Sequence, residues 1–391
     1  MSLHPSTPRR ARVATAIVLS SCLSALSLEA CAESTEAGPD RADGSVVAPS
    51  PDVDAGTVPD GASDRDGALP DVPCAVGNVC RVPSPLVLGS IRTVSGRSRT
   101  DVWAAGSLGL TMHWEGKAWS ALGSTLPEDR STLMSLFPTP DEVWGVAGAT
   151  IMRRGTAPES VRSFVLLDIA RAPTSIAAVG GGGVYVGCSV GGLFSLPTAT
   201  GALVEITDFD AGSVAVVPHP LLEATNQRQP MNIRALALAP GRALWAVGDQ
   251  AAVARYPLEA RDAGDDAGQA WALGEGIVLP LPVQQDLHIA WALGDHLWAA
   301  GDNGTLVHFD GTEWHEEASN TDAALHAVFG FSETDVWAAG DDGVLLHFDG
   351  KSWSHVPIQG YRGGLRTIWG AAPDDVWIGG EGGMFHWGPL P

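Results

Sequence analysis

The sequence predicts an all-β protein, a seven-bladed β-propeller built from four-stranded antiparallel blades. Three observations lead to this prediction: a Trp-centred phrase recurs along the chain, its spacing is close to 40 residues, and each copy holds four short apolar or alternating runs separated by turn residues. Four strands repeated at such a period are typical of a propeller, in which each blade buries both faces against its neighbours.

The recurring phrase is TDVWAAG, which occurs at Thr100–Gly106 and again at Thr334–Gly340. Weaker copies raise the number of units to seven, with the central aromatic residues Trp103, Trp144, Tyr185, Trp245, Trp298, Trp337 and Trp377. Their spacings are 41, 41, 60, 53, 39 and 40 residues, so two spacings carry insertions. Since one large ring per blade can fill the wedge between neighbouring sheets, we assign these rings to packing.

The unit around Trp337 shows the four strands expected of a blade. Its runs are LHAVFG, VWAAG, VLLHF and SWSHV, which we call strands a to d in every unit. Asp342 and Gly343 follow strand b, and Asp349 and Gly350 follow strand c. Tight turns need residues that tolerate positive φ, and Asp-Gly pairs meet that need.

Residues 1–31 predict an export signal. An apolar stretch, Val13–Leu28, is too short and too rich in Ser for a membrane span, and it follows three positive residues. These residues are Arg9, Arg10 and Arg12.

Cys22 and Cys31 are both candidates for the lipidated residue of a bacterial lipoprotein. We favour Cys31 as the lipid anchor because a tether-like segment follows it at once, whereas cleavage before Cys22 would leave apolar residues in the mature chain. Secretion with ordinary signal cleavage is the alternative. The protein is thus expected to be exported, and either held at the outer cell envelope by a lipid or secreted.

Residues 32–73 predict a disordered acidic linker. They hold ten acids, two arginines and no aromatic residue, a composition that cannot bury enough apolar surface to offset the entropy of ordering. The whole chain has a net charge of −22, of which residues 74–391 carry −16. This charge argues against nucleic acid and anionic membrane surfaces as partners, so membrane contact is expected only through the N-terminal lipid.

The propeller is assigned to residues 74–391. The last unit ends near Trp387 without a strand d, so we expect the segment from Val79 to Leu88 to supply that strand and close the ring. Cys74 and Cys80 lie six residues apart in a compartment that permits disulfides, which predicts a short staple beside the closing strand.

The repeat resembles the Trp-rich β-propeller repeats of exported bacterial proteins, including surface lipoproteins, in which D-V-W-A-x-G is followed by H-[WF]-[DE]-G-x-x-W. The first motif stands at Asp101–Gly106 and Asp335–Gly340, and the second at His113–Trp119 and His347–Trp353. The resemblance covers residues 88–388. It implies the propeller fold and leaves the function open, because propellers host unrelated activities.

Two further repeat positions attract attention as possible sites. Strand c carries His113, His308, His347 and His386, and the position two residues before the central Trp carries Asp101, Asp335 and Asp375. Strand c lies about 10 Å farther from the axis than strand a, so these histidines cannot share one metal ion. We assign the histidines to packing or hydrogen bonding and the acids to the turn between strands a and b.

The start of strand a is the candidate ligand-binding position, because it faces the mouth of the central channel. The seven units place there Arg92, Met134, Ala177, Arg234, His288, His326 and Arg366. The turns between strands b and c lie on the same face and hold Asp249, Asp302, Asn303, Asp341, Asp342 and Glu381. A basic inner ring within an acidic outer ring could bind a carboxylate or sulfated ligand, or the acidic side chains of a peptide. In the alternative interpretation, Arg92, Arg234, His288, His326 and Arg366 only bridge blades or coordinate channel water, and the acids are ordinary turn residues.

We therefore expect a monomeric, non-enzymatic platform that binds an envelope or extracellular protein or glycan. The alternative is a polysaccharide hydrolase or lyase with its site at the channel mouth, which would need two converging carboxylates. No catalytic, metal-binding or cofactor motif is recognised. The insertion Pro218–Pro230 could form a rim on the mouth face, and Asp262–Gly268 lengthens a hairpin on the opposite face.

Overall fold

The computed structural model describes residues 73–85, 89–122, 131–155, 161–165, 171–179, 183–190, 202–207, 215–219, 232–262 and 269–390. The predicted signal, nearly all of the linker and both candidate lipid-bearing cysteines, Cys22 and Cys31, lie outside these residues. So do residues 220–231 and 263–268, which make up most of the two insertions. Among the described residues there is no helix with the length and apolar character that a membrane span requires.

The described strands form seven antiparallel sheets, one for each predicted unit, which confirms the seven-bladed propeller. Blade 1 holds β2 (Ile91–Ser98), β3 (Asp101–Gly106), β4 (Thr111–Trp114) and β5 (Trp119–Ala121). Blade 2 holds β6 (Leu133–Pro138), β7 (Val143–Ala147), β8 (Thr150–Arg154) and β9 (Val161–Val165). Blade 3 holds β10 (Arg171–Val179), β11 (Gly183–Val190), β12 (Ala202–Thr207) and β13 (Ala215–His219).

The remaining blades follow the same order of strands a to d. Blade 4 holds β14 (Ile233–Ala239), β15 (Ala243–Gly248), β16 (Val253–Asp262) and β17 (Gln269–Leu273), with a short β18 (Ile277–Val278) paired to β16. Blade 5 holds β19 (Leu287–Leu293), β20 (His296–Gly301), β21 (Leu306–Phe309) and β22 (Trp314–Glu316). Blade 6 holds β23 (Leu325–Ser332), β24 (Asp335–Gly340), β25 (Leu345–Phe348) and β26 (Trp353–His355). Blade 7 holds β27 (Leu365–Ala372), β28 (Asp375–Gly380) and β29 (Gly383–Trp387).

The ring is closed by β1 (Val79–Val82), which is the fourth strand of blade 7, as the missing strand d predicted. It pairs antiparallel with β29, and the register runs from Val79 opposite Trp387 to Val82 opposite Met384. A disulfide joins Cys74 to Cys80, whose Cα atoms are 4.9 Å apart, so the segment that precedes the closing strand is cross-linked to it.

The final glycine of the repeated phrase is required by a close backbone approach. A Cβ atom at Gly106 would lie 2.0 Å from the carbonyl oxygen of Ser90, and one at Gly340 would lie 2.1 Å from that of Ala324. In each case the carbonyl belongs to the residue just before strand a. The end of strand b is thereby held directly against the start of strand a on the mouth face.

The Asp and His positions of the repeat bind one another. His347 Nε2 lies 2.8 Å from Asp335 Oδ1, and the same contact joins His113 to Asp101 at 2.8 Å. The imidazole also stacks on the central ring of its blade, as in the 4.3 Å centroid distance between Trp337 and His347. The assignment of these acids to the a-to-b turn was therefore incomplete, because each carboxylate also fixes a strand c side chain against the Trp.

Neighbouring blades meet through aromatic pairs in the outer wedge. The central Trp of one blade packs on the ring that follows the strand c position of His in the next blade. Ring centroids are 5.7 Å apart for Trp245 and Phe309, 5.2 Å for Trp298 and Phe348, 5.2 Å for Trp337 and Trp387, and 4.9 Å for Trp377 and Trp114. Such tilted pairs add to the gain from burying the rings themselves.

Hydroxyl groups connect the inner strands of several blades. Thr367 Oγ1 accepts a hydrogen bond from the Val94 backbone N–H at 2.9 Å, and Thr93 Oγ1 accepts one from Leu136 N–H at 3.1 Å. Ser135 and Ser175 make the equivalent contacts to blades 3 and 4. These bonds satisfy N–H groups at the blade joints that the strand ladders leave free, a role that the sequence pattern did not reveal.

We expect removal of residues 74–82 to destabilise the whole ring, because β29 would lose one of its two partner strands and the core would lose the buried side chains of Val79, Cys80 and Val82. The apolar loss alone amounts to several kcal/mol at about 25 cal/mol per Å². Thermal unfolding followed by circular dichroism should show a much lower melting temperature than a control chain that begins at residue 73. Equal melting temperatures would contradict closure by β1.

The substitution Thr93→Val should lower the free energy of unfolding by about 1–3 kcal/mol, since it leaves the buried Leu136 N–H without an acceptor. Thr111→Val is the matched control: Thr111 is also buried, and its hydroxyl has no hydrogen-bond partner. That control should be neutral or stabilising. Urea unfolding of both variants gives the comparison, and equal losses would refute the bridging role of Thr93.

Candidate binding site at the channel mouth

The first strands of the seven blades line a central channel with a cavity of about 460 Å³. Each of these strands has a bulge near its start, where the ladder skips one residue; between Ile91 and Thr93, for example, it skips Arg92. A bulge re-aims the skipped side chain, and all seven skipped residues line the channel. This mouth ring consists of Arg92, Met134, Thr174, Arg234, His288, His326 and Arg366.

The prediction of Ala177 as the third member of the ring was wrong. Ala177 pairs with Tyr185 inside the blade and is buried, whereas the skipped residue of β10 is Thr174. Thr174 Oγ1 lies 3.0 Å from the carbonyl oxygen of Gly187 and 2.7 Å from that of Ile233, so it bridges blades 3 and 4. Strand β10 is long and begins at Arg171, so the channel-facing residue lies earlier in the chain than the repeat spacing indicated.

The basic and acidic rings of the mouth face form ion pairs with each other. Arg366 contacts two turns, with Nη1 2.8 Å from Asp341 Oδ1 and Nη2 2.9 Å from Glu381 Oε1. Arg234 pairs with Asp249 of its own blade and lies 3.1 Å from Asp286 Oδ2. The bridging interpretation therefore describes Arg234 and Arg366, whose charges are balanced by carboxylates.

His288 and His326 form a pair across the joint between blades 5 and 6. Their Nδ1 atoms are 3.0 Å apart, and their Nε2 atoms lie 3.1 Å from Asp302 and 3.2 Å from Asp341. Burial lowers the pKa of both imidazoles, which favours neutral rings. In the neutral state one Nδ1–H can donate to the other Nδ1, whereas two protonated rings would set two N–H groups against each other.

Arg92 differs from the other basic members of the mouth ring. The position that holds Asp or Glu after strand b in blades 4 to 7 holds Ser107 in blade 1. Arg92 forms no ion pair with any residue that the structure describes, and its Nε atom is buried without a hydrogen-bond partner. This guanidinium is thus a cation that the described protein groups do not neutralise.

The mouth face carries exposed apolar side chains in blades 1 and 2. Leu108 follows Ser107 in the b-to-c turn of blade 1, takes a positive φ of 60° and is 59% exposed. Met134 of the mouth ring is 44% exposed in blade 2. We call Arg92, Leu108 and Met134 the open sector of the mouth. The sequence predicted Arg92 and Met134 at the start of strand a but not that Arg92 lacks an acidic partner. The presence of Ser107 where blades 4 to 7 have an acid could have indicated this.

Acidification should weaken the fold through the histidine pair. Since each pKa is lower in the folded protein than in the unfolded chain, the free energy of unfolding is expected to fall as the pH drops below about 6.5. His308, whose pKa burial lowers to about 4, adds to the same slope. In the double variant His288→Gln with His326→Gln, urea unfolding between pH 7 and pH 5 should show a smaller slope, with His308→Gln as an independent reference. An unchanged slope in the double variant would contradict this role.

Comparison with known proteins supports the fold. No protein-family model and no curated protein matches the chain. Among solved structures, YCF48 bound to D1 peptide is 18% identical with a TM-score of 0.57, and the match covers 82% of this chain and 97% of that one. YCF48 from Cyanidioschyzon merolae is 14% identical with a TM-score of 0.58, covering 80% and 99%.

A third similar structure is the extracellular domain of a putative hybrid two-component system from B. thetaiotaomicron. It is 13% identical with a TM-score of 0.54, and the match covers 79% of this chain and 39% of that one. At these identities the likeness establishes the architecture alone. The chain has the β-propeller fold that these proteins share.

Proposed function

We propose that this protein is an exported, non-enzymatic propeller whose channel mouth binds a segment of a partner protein at the cell envelope or outside the cell. The observation that carries the proposal is the open sector, where the guanidinium of Arg92 has no counter-ion among the described residues and the side chains of Leu108 and Met134 are exposed. Arg binds carboxylates in a bidentate manner, and a nearby apolar surface adds contact area. The expected ligand is therefore a peptide in which an acidic residue adjoins an apolar one.

The remainder of the mouth ring would shape the entrance. Arg234 and Arg366 are held by carboxylates, so a ligand that binds them must compete with Asp249, Asp341 and Glu381. Arg92 needs no such displacement. A peptide would thus place its carboxylate over blade 1 and its apolar side chain toward blade 2, while the ion-paired blades 4 to 7 provide a rigid polar wall.

The similar structures support this choice of ligand class. One of them is YCF48 in complex with a D1 peptide, and another is an extracellular domain of a signalling system. A protein ligand is accordingly preferred to a glycan. Asp249, Asp302, Asp341 and Glu381 on the mouth face are engaged by Arg or His side chains, and no observation favours the hydrolase or lyase alternative.

Export and anchoring complete the proposal. The predicted signal in residues 1–31 and the acidic linker would hold the propeller away from the membrane, with Cys31 as the lipid-bearing residue. We expect a monomer. Mass spectrometry of the mature N-terminus tests the anchor: a diacylglyceryl mass on Cys31 supports it, and an unmodified terminus replaces it with secretion.

A selection from a random peptide library on immobilised protein tests the binding mode. Peptides that contain Asp or Glu next to an apolar residue should be enriched, and Arg92→Gln should weaken the best of them about tenfold or more. Leu108→Ser should also weaken binding. Arg242→Gln is the matched control, because Arg242 is exposed in the a-to-b turn of blade 4 on the opposite face, and it should leave affinity unchanged. Enriched peptides that lack acids, or that bind Arg92→Gln equally well, would refute the proposal.

A further inference from the structure

The joint between blades 1 and 2 departs from the aromatic packing of the wedges that join blades 4, 5, 6, 7 and 1. Where the central Trp of blades 4 to 7 meets an aromatic ring, Trp103 of blade 1 meets Arg154 of blade 2, with the guanidinium carbon 5.7 Å from the ring centroid. The register shows the equivalence, because Arg154 pairs with Val143 as Phe348 pairs with Val336 in blade 6. One blade therefore places a permanent cation where the repeat places an aromatic side chain.

The replacement leaves a cavity. In blades 1 and 6 the strand c aromatic pairs with a Trp on strand d, as Trp114 does with Trp119. In blade 2 the strand d partner of Arg154 is the smaller Val161. A cavity of about 260 Å³ lies at this joint, bounded by Arg154, Trp103, Leu122 and Val143 among others. It lies toward the face opposite the channel mouth, where the a-to-b turns end.

None of the described residues neutralises the charge of the Arg154 guanidinium in this cavity. Arg154 is only 7% exposed, and it makes no hydrogen bond or ion pair with any residue in the described ranges. Burial lowers the pKa of Arg154, although a guanidinium stays protonated at neutral pH. The stacking on Trp103 offsets part of the desolvation cost, which for an isolated buried charge is several kcal/mol.

The acids nearest to the cavity are already engaged. Asp101 binds Arg97, His113 and the Trp103 indole N–H, and Glu142 binds Arg153. Two further lining acids, Glu115 and Asp141, are exposed at the rim. The cavity thus combines a cation that has no partner among the described residues with three apolar side chains, Trp103, Leu122 and Val143, while its rim is negative. A multiply charged anion would be repelled by the rim more strongly than a single carboxylate.

We infer that this cavity is a second binding site, which takes a small monocarboxylate with an apolar or aromatic body. Its carboxylate would pair with the Arg154 guanidinium, and its body would occupy the space that a strand d ring fills in blades 1 and 6. This site lies apart from the channel mouth, so its test does not depend on the proposed peptide binding.

Isothermal titration with benzoate as the probe tests the inference. Benzoate should bind the intact protein saturably, benzyl alcohol of similar shape should bind at least about tenfold more weakly, and sulfate should not compete. Arg154→Met keeps the length of the side chain and removes the charge, so it should abolish benzoate binding without loss of stability. Arg154→Trp restores the repeat aromatic, and it should raise the melting temperature and also abolish binding.

Arg153→Met is the matched control, because Arg153 is the neighbouring residue on β8 and is paired with Glu142. It should leave benzoate affinity unchanged. Retention of benzoate binding by Arg154→Met, equal affinity for benzyl alcohol, or no binding to the intact protein would each overturn the inference. Thermal unfolding of every variant checks that it is folded. A loss of benzoate binding can then be attributed to the loss of the site.

Discussion

The pairing of β1 with β29 is the contact on which the rest of the structure depends. A blade buries both of its faces only if it has a neighbour on each side, and blade 7 has its fourth strand only because the start of the propeller returns to it. Every wedge of the ring, from the Trp pairs to the inner hydroxyl bridges, requires that closure. The disulfide between Cys74 and Cys80 lies at this one point, where the two ends of the ring meet.

Closure also places equivalent residues of the seven blades at equivalent positions around the channel. A difference between two copies at one of these positions therefore changes the chemistry at that point of the ring. The bulge near the start of each strand a turns one side chain into the channel, and the strand b glycine lets the following turn residue approach it. The same backbone thus presents a paired cation where the turn holds an acid, as at Arg366, and an unneutralised cation where the turn holds Ser107. The fold supplies the positions, and single substitutions decide their charge balance.

Both proposed sites arise where a copy departs from a residue that several others share. The acid that follows strand b in blades 4 to 7 is replaced by Ser107 in blade 1, and the wedge aromatic of blades 5, 6, 7 and 1 is replaced by Arg154 in blade 2. A local departure from otherwise consistent packing carries a cost in stability, and such departures are often found at functional sites. One departure lies in blade 1 on the mouth face, and the other lies at the joint of blades 1 and 2 toward the opposite face.

The sequence by itself determined the fold, because the period, the turn residues and the central rings are local signals that repeat. It located strand a, the closing strand and five basic members of the mouth ring, including Arg92 and His326. It could not determine that Thr174, rather than Ala177, faces the channel, since one bulged residue changes the register. Only the tertiary structure showed which charges are paired, because Asp341 and Arg366 belong to different blades and meet only when the ring is formed.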